Sequence, residues 1–120
     1  NQRFVIDHLA KPRIKERKIS EWKNEIQKIA RFENVCCKIS GMVTEADWKN
    51  WKKDDFIPYI EAVSEAFGTN RIMYGSDWPV CLVAASYEEM LGIVEEYFSS
   101  FSETEQELFF GKNAIQFYNL

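Results

Sequence analysis

The sequence is poor in the features that mark several functional classes. It has three cysteines, Cys36, Cys37 and Cys81, an odd number with two adjacent and no C-x-x-C spacing. That argues against a disulfide framework and against a cysteine-held zinc site, and it fits a reducing, cytoplasmic setting. No apolar run approaches the roughly 20 residues that span a bilayer, so no membrane association is expected. The basic residues form no stripe interleaved with aromatics; the nearest approach, Lys11 to Lys18, mixes Lys and Arg with Glu. With a formal net charge of -4, nucleic acid is not an expected partner. No glycine-rich phosphate loop is present, and Ser76 lacks the G-x-S-x-G setting of a serine nucleophile. The first residues, Asn1-Gln2-Arg3-Phe4, hold no initiator Met and no signal-peptide pattern. They enter a strand-like run almost at once, which suggests a chain cut out of something longer.

What is present reads as globular: hydrophobic residues make up 46% and charged residues 28%, which separates the chain from disordered sequences. The run Phe4 to Leu9 predicts a short strand closed by Pro12. A helix is expected from Ser20, whose hydroxyl would cap it, with Trp22, Ile26, Ile29 and Ala30 at helical spacing. A second strand follows from Val35 to Ser40 and ends at Gly41. In the connection 42–55, Thr44 with Asp47 makes a weak capping box, and Trp48 and Trp51 have the spacing of a packed helix face. A second helix is expected from about Phe56 to Phe67, with Pro58 in its first turn and Gly68 as its stop. The third strand is read as Arg71 to Ser76. Ser86 with Glu89 caps a helix bearing Met90, Ile93, Val94 and Tyr97, and Ser102 with Glu105 caps a last helix interrupted near Gly111.

Strands and helices thus alternate, which argues for an α/β fold with parallel strands joined by right-handed crossovers. Such strands need cover on both faces, and three are few for a free-standing sheet. An eight-stranded (β/α)8 barrel takes about 250 residues, so in a barrel the 120 residues here would be under half. The unpaired sheet edges lead to an expectation of self-association or of an exposed apolar surface.

Two polar residues stand out by position. His8, the only histidine, ends the first strand, and Asp77 ends the third. Active sites of parallel α/β sheets and barrels lie at the strand C-terminal ends. By the two-residue period His8 shares a face with Phe4 and Ile6, and Asp77 with Met73 and Gly75. Gly75 would leave space beneath the carboxylate for a substrate or an ion. A carboxylate can take a proton from an attacking water, and an imidazole can bind a metal or polarise a carbonyl. Structural roles compete: a satisfied histidine at a strand end, or an aspartate capping the turn before Pro79. Lys38, between apolar neighbours in the second strand, either points into the site to steady an oxyanion or a carboxylate or snorkels to solvent. Lys11 reaches the same mouth or is a solvated loop lysine. Trp78 either walls the site beside Asp77 or plugs the top of a barrel.

Four blocks, "FVIDHLAKP", "VCCKISGMVTEADW", "RIMYGSDWPVCLVAASYEEML" and "FFGKNAIQFYNL", closely resemble the C-terminal part of amidohydrolase-superfamily proteins. The resemblance is to the amidohydrolase 2 group, in its sugar-lactone hydrolase branch. It implies about three βα units from the C-terminal portion of a (β/α)8 TIM-type barrel, with residues 1–120 incomplete as a domain. It implies that Asp77 is the general base of an eighth strand and His8 the histidine of a sixth. It also implies hydrolysis of a small-molecule lactone, with a divalent metal such as zinc that is sometimes dispensable; His8 and Asp77 would be conditional ligands. The group's first-strand His-x-His pair is absent, and Ala10 stands where a glycine is expected. An isolated chain of this kind is therefore expected to lack a complete site. A non-catalytic fragment or binding module retaining the late strands is the alternative.

Overall fold

The computed structural model describes residues 2–120. Three short strands, β1 (Phe4–Ile6), β2 (Val35–Ile39) and β3 (Ile72–Tyr74), form one sheet in the order β1-β2-β3. Both pairings are parallel, with Phe4 opposite Val35 and Cys37 opposite Ile72. Parallel neighbours need a crossover between them. Helix α1 (Ser20–Ile29) provides the first and α2 (Ile57–Phe67) the second. After β3 come α3 (Tyr87–Phe98), α4 (Glu103–Glu107) and α5 (Asn113–Tyr118). The chain is α/β, in about three βα units, as the order of elements predicted.

Burial along β2 alternates, with Val35, Cys37 and Ile39 buried and Cys36 and Lys38 half-buried between them. The buried set belongs to the main core, with Ile26 of α1, Ile60, Val63 and Phe67 of α2, and Ile72 of β3. Lys38 lies opposite Met73 on the other face. Burial of this apolar surface does most to hold the helices to the sheet.

Local signals set several helix ends. Ser86 and Ser102 accept from the backbone N–H of Glu89 and Glu105, and those glutamates accept in return from the serine N–H groups. Pro58 sits in the first turn of α2, and Gly68 ends that helix at φ 75. Two expected caps are absent. Ser20 is already helical, with Ile19 before it and no side-chain bond to the first turn. Thr44 and Asp47 form no capping box; Thr44 lies in a short 3₁₀ turn, Val43–Glu45, and Asp47 accepts from Lys49 N–H instead.

The expected break near Gly111 is a π-helical turn, Leu108–Lys112, between α4 and α5. It presents two successive aromatics to the core. Phe109 stacks on Phe98 of α3 at 4.1 Å between centroids, and both Phe109 and Phe110 meet the Tyr74 ring of β3. The buried Asn113 amide then donates to the carbonyls of Thr69 and Ile72, at 2.7 Å each. These bonds pin the start of α5 to the entry of β3.

Candidate active site

The strands stop sooner than the sequence suggested. β1 ends at Ile6, and Asp7–Ala10 form a tight turn in which His8, Leu9, Ala10 and then Lys11 all have φ between 52 and 59. β3 ends at Tyr74, and Asp77 also lies in the left-handed region, at φ 57. Non-glycine residues are uncommon there. The two-residue period therefore fails beyond Ile6. It would have placed His8 on the face of Phe4 and Ile6, whereas the left-handed turn carries the imidazole to the mouth of the sheet.

There His8 meets Asp77. His8 Nε2 is 3.7 Å from Asp77 Oδ1, and the two side chains are 27% and 18% exposed. The separation is too long for a good hydrogen bond and short enough for both groups to hold one water. On the other side of the ring, Nδ1 lies 2.7 Å from Ser40 Oγ, just past the end of β2. The site thus draws one residue from the C-terminal end of each of three parallel strands.

Gly75 does not open space beneath the carboxylate. A Cβ there would lie 2.9 Å from Ser40 Cβ and 3.2 Å from Lys38 Cδ. The room left by the missing side chain is filled by Lys38 of β2 and by Ser40 just after it. Lys38 turns its ammonium to Asp7, with Nζ 3.0 Å from Oδ1, and sits 5.8 Å from the centre of the Tyr118 ring. Burial works to lower the Lys38 pKa, but hydrogen bonds to Asp7 and Tyr118 outweigh it and hold it above its ordinary 10.5. The hydrogen bond from Lys38 holds Asp7 below 3.8, with burial working against it. At neutral pH the two are an ion pair beside the imidazole.

The other candidates stand apart. Lys11 is exposed and makes none of the ion pairs that join the described residues. Trp78 is 61% exposed and so walls nothing off within this chain. Of the connection tryptophans, Trp51 donates to the Ala84 carbonyl at 2.8 Å and so ties the loop after β2 to the loop after β3. Trp48 remains 52% exposed. Trp22 ties the turn after β1 to α1 through the Leu9 carbonyl, at 2.7 Å. None of the thiols is set up as a nucleophile: burial pushes Cys37 up to about 12 and also raises Cys36 and Cys81. Reading the sequence missed Asp7, Ser40 and Tyr118. Ser40 and Asp7 flank the strand ends already singled out. Tyr118 gave no signal, because its approach to Lys38 is purely tertiary.

The His8 and Asp77 atoms fit two ligands of one divalent cation. Tetrahedral zinc with such nitrogen and oxygen donors would separate them by about 3.4 Å, near the separation seen. A catalytic zinc takes three protein ligands. Among the described residues no group of three or more His, Cys, Asp or Glu side chains is placed to hold a metal. No helix among them is long and apolar enough to cross a membrane.

The chain is 39% identical over 127 aligned positions to the L-fucono-1,5-lactonase of Burkholderia multivorans, covering 98% of this chain and 43% of that protein. The L-fucono-1,5-lactonase of Burkholderia ambifaria is 36% identical, with 98% and 42% covered. A crystal structure of a Burkholderia multivorans amidohydrolase with bound zinc superposes with a TM-score of 0.91 at 39% identity, over 97% of this chain and 43% of that one. The chain spans less than half the length of these relatives, which suits three strands of a larger barrel. The amidohydrolase family (Amidohydro_2) matches residues 1–120, and the chain belongs to that family.

Proposed function

We propose that this chain carries the late-strand half of a lactone-hydrolysing site. The observation that supports it most is the 3.7 Å approach of His8 Nε2 to Asp77 Oδ1 at the C-terminal ends of parallel strands. In this reading Asp77 takes a proton from a water as its oxygen adds to the lactone carbonyl carbon. The tetrahedral adduct then releases the ring oxygen, which accepts the proton that Asp77 took, and a hydroxy acid leaves. His8 lies within reach of the same water and orients it. Lys38, held charged by Asp7, faces the hydroxyls or the developing carboxylate of the sugar acid. Trp78 and Lys11, both exposed here, take up contacts with substrate or with further barrel wall.

If a divalent metal such as zinc is used, His8 and Asp77 are the residues that would hold it. When bound it would supply Lewis acidity toward the carbonyl and lower the pKa of its water. Further ligands would come from sequence beyond this chain, consistent with relatives more than twice as long. The open edges of β1 and β3 are proposed as surfaces for more sheet or a second copy; Phe4, 55% exposed on β1, supports this. The three free cysteines support a reducing, cytoplasmic setting.

The test is turnover of L-fucono-1,5-lactone and related sugar lactones by the enzyme containing this sequence, beside its Asp77→Asn variant. A positioned general base contributes about 10²–10⁴-fold, and a loss of that order is expected with the melting temperature little changed. Near wild-type turnover in Asp77→Asn would make Asp77 a turn residue, whereas no lactone turnover by the wild-type protein would favour the non-catalytic binding module.

A further inference from the structure

We propose that Ser40 is the positioning residue of His8, holding the ring in a slot that Gly41 and Gly75 leave open so that Nε2 faces Asp77. Four observations converge on it. Ser40 is 1% exposed, although it is a polar residue at the edge of a mouth. Its hydroxyl lies 2.7 Å from Nδ1 of His8, and this is the one side-chain bond it makes among the described residues. A Cβ on Gly41 would stand 2.9 Å from both Cγ and Nδ1 of His8, so the ring packs close against glycine backbone, itself at φ 66. A Cβ on Gly75 would stand 2.9 Å from the Ser40 Cβ. Each glycine removes an atom that would displace one member of the pair.

The need for a clamp follows from the turn. His8 sits in left-handed backbone outside any strand, and its side chain is 27% exposed. Without a partner the ring could swing toward water and take its Nε2 away from Asp77. A hydroxyl is an apt partner because it both donates and accepts. It bonds Nδ1 whether that nitrogen carries the proton or not, so the ring stays aimed at Asp77 in either tautomer. A backbone carbonyl in the same place would fix Nδ1–H. Ser40 acts through His8 and touches no reacting atom. Its effect on rate rests on the lactonase reading; its effect on the ring does not.

The single histidine makes the test direct, because every imidazole signal belongs to His8. The chain is labelled with ¹⁵N-histidine, and the two ring nitrogens are read at one fixed pH in wild type, Ser40→Ala and Ser40→Cys. In Ser40→Ala the Nδ1 shift should move toward that of an unbonded imidazole, and the contacts from the ring to Gly41 should weaken. Ser40→Cys keeps the shape with a weaker donor and should fall between; it also decides the matter if the alanine variant fails to fold. Unchanged ring signals in a folded variant would overturn the proposal. In the enzyme, Ser40→Ala should lower kcat roughly 10- to 100-fold, the range for partners that orient a metal-ligating imidazole, with KM little changed. A ring that shifts while kcat holds would leave the clamp standing and remove His8 from the catalytic reading.

Discussion

The mouth of the sheet and the aromatic layer beneath β3 are built on opposite principles. At the mouth, five non-glycine residues, His8 to Lys11 and Asp77, lie in left-handed backbone, each costing of the order of 1 kcal/mol. The His8 and Asp77 side chains there are 27% and 18% exposed, and their closest approach is looser than a hydrogen bond. Beneath β3, α3 and the segment 103–118 are regular but for one π-helical turn. Phe98 and Phe109 are fully buried and stacked, and serine–glutamate boxes cap the helix starts. One region holds strained polar groups together at the strand ends; the other supplies the burial that holds them. Strain of this kind persists only where surrounding structure over-determines it. Here the Trp22 and Trp51 indole N–H groups tie the mouth loops down.

The contrast can be broken from either side. The largest effect is expected at Phe98. Phe98→Ala removes a buried ring and should cost about 3–5 kcal/mol of stability, read as a lower urea midpoint. Asp77→Asn should do the reverse, leaving the urea midpoint near wild type while turnover falls. If instead Asp77→Asn unfolded the chain, the mouth would be part of the stabilising core and the division would fail.

A smaller change tests the caps. Ser86→Ala loses the bond to Glu89 N–H and should cost about 1 kcal/mol, measured by urea unfolding. Restoring the cap with Ser86→Asp should recover most of it. The smallest effect is electrostatic. Asp7 has a depressed pKa in the folded chain, so its stabilising contribution is present above 3.8 and is lost as pH falls through the depressed value. Lys38 has a raised one, so its contribution is present below 10.5 and is lost as pH rises through the raised value. Asp7→Asn should lower the melting temperature slightly at neutral pH, with the gap closing in acid. Asp7 is 60% exposed, so solvent screening keeps the effect small. A gap that persisted in strong acid would show that Asp7 acts through packing and not through its charge.

The parallel α/β order, the stop at Gly68, the Ser86 and Ser102 caps, and the candidacy of His8 and Asp77 were legible in the sequence. Each depends on residues a few positions apart: a hydroxyl and a glutamate three residues on, an apolar stripe at helical spacing, an acid after an apolar run. The lengths of β1 and β3 were not legible, because a left-handed turn of His8, Leu9, Ala10 and Lys11 has no local signature and runs against the preference of each residue. Nor was the filling of Gly75. A glycine announces that something comes close, and only the packed sheet shows that Lys38 and Ser40 are what comes. The pairing of Asp7 with Lys38, the Tyr118 ring over that lysine, and the bond from Ser40 to His8 were likewise decided by tertiary structure. Parallel crossovers bring together strand ends that are distant in sequence, so the composition of the mouth is a property of the sheet as a whole, while caps and stripes are properties of single helices.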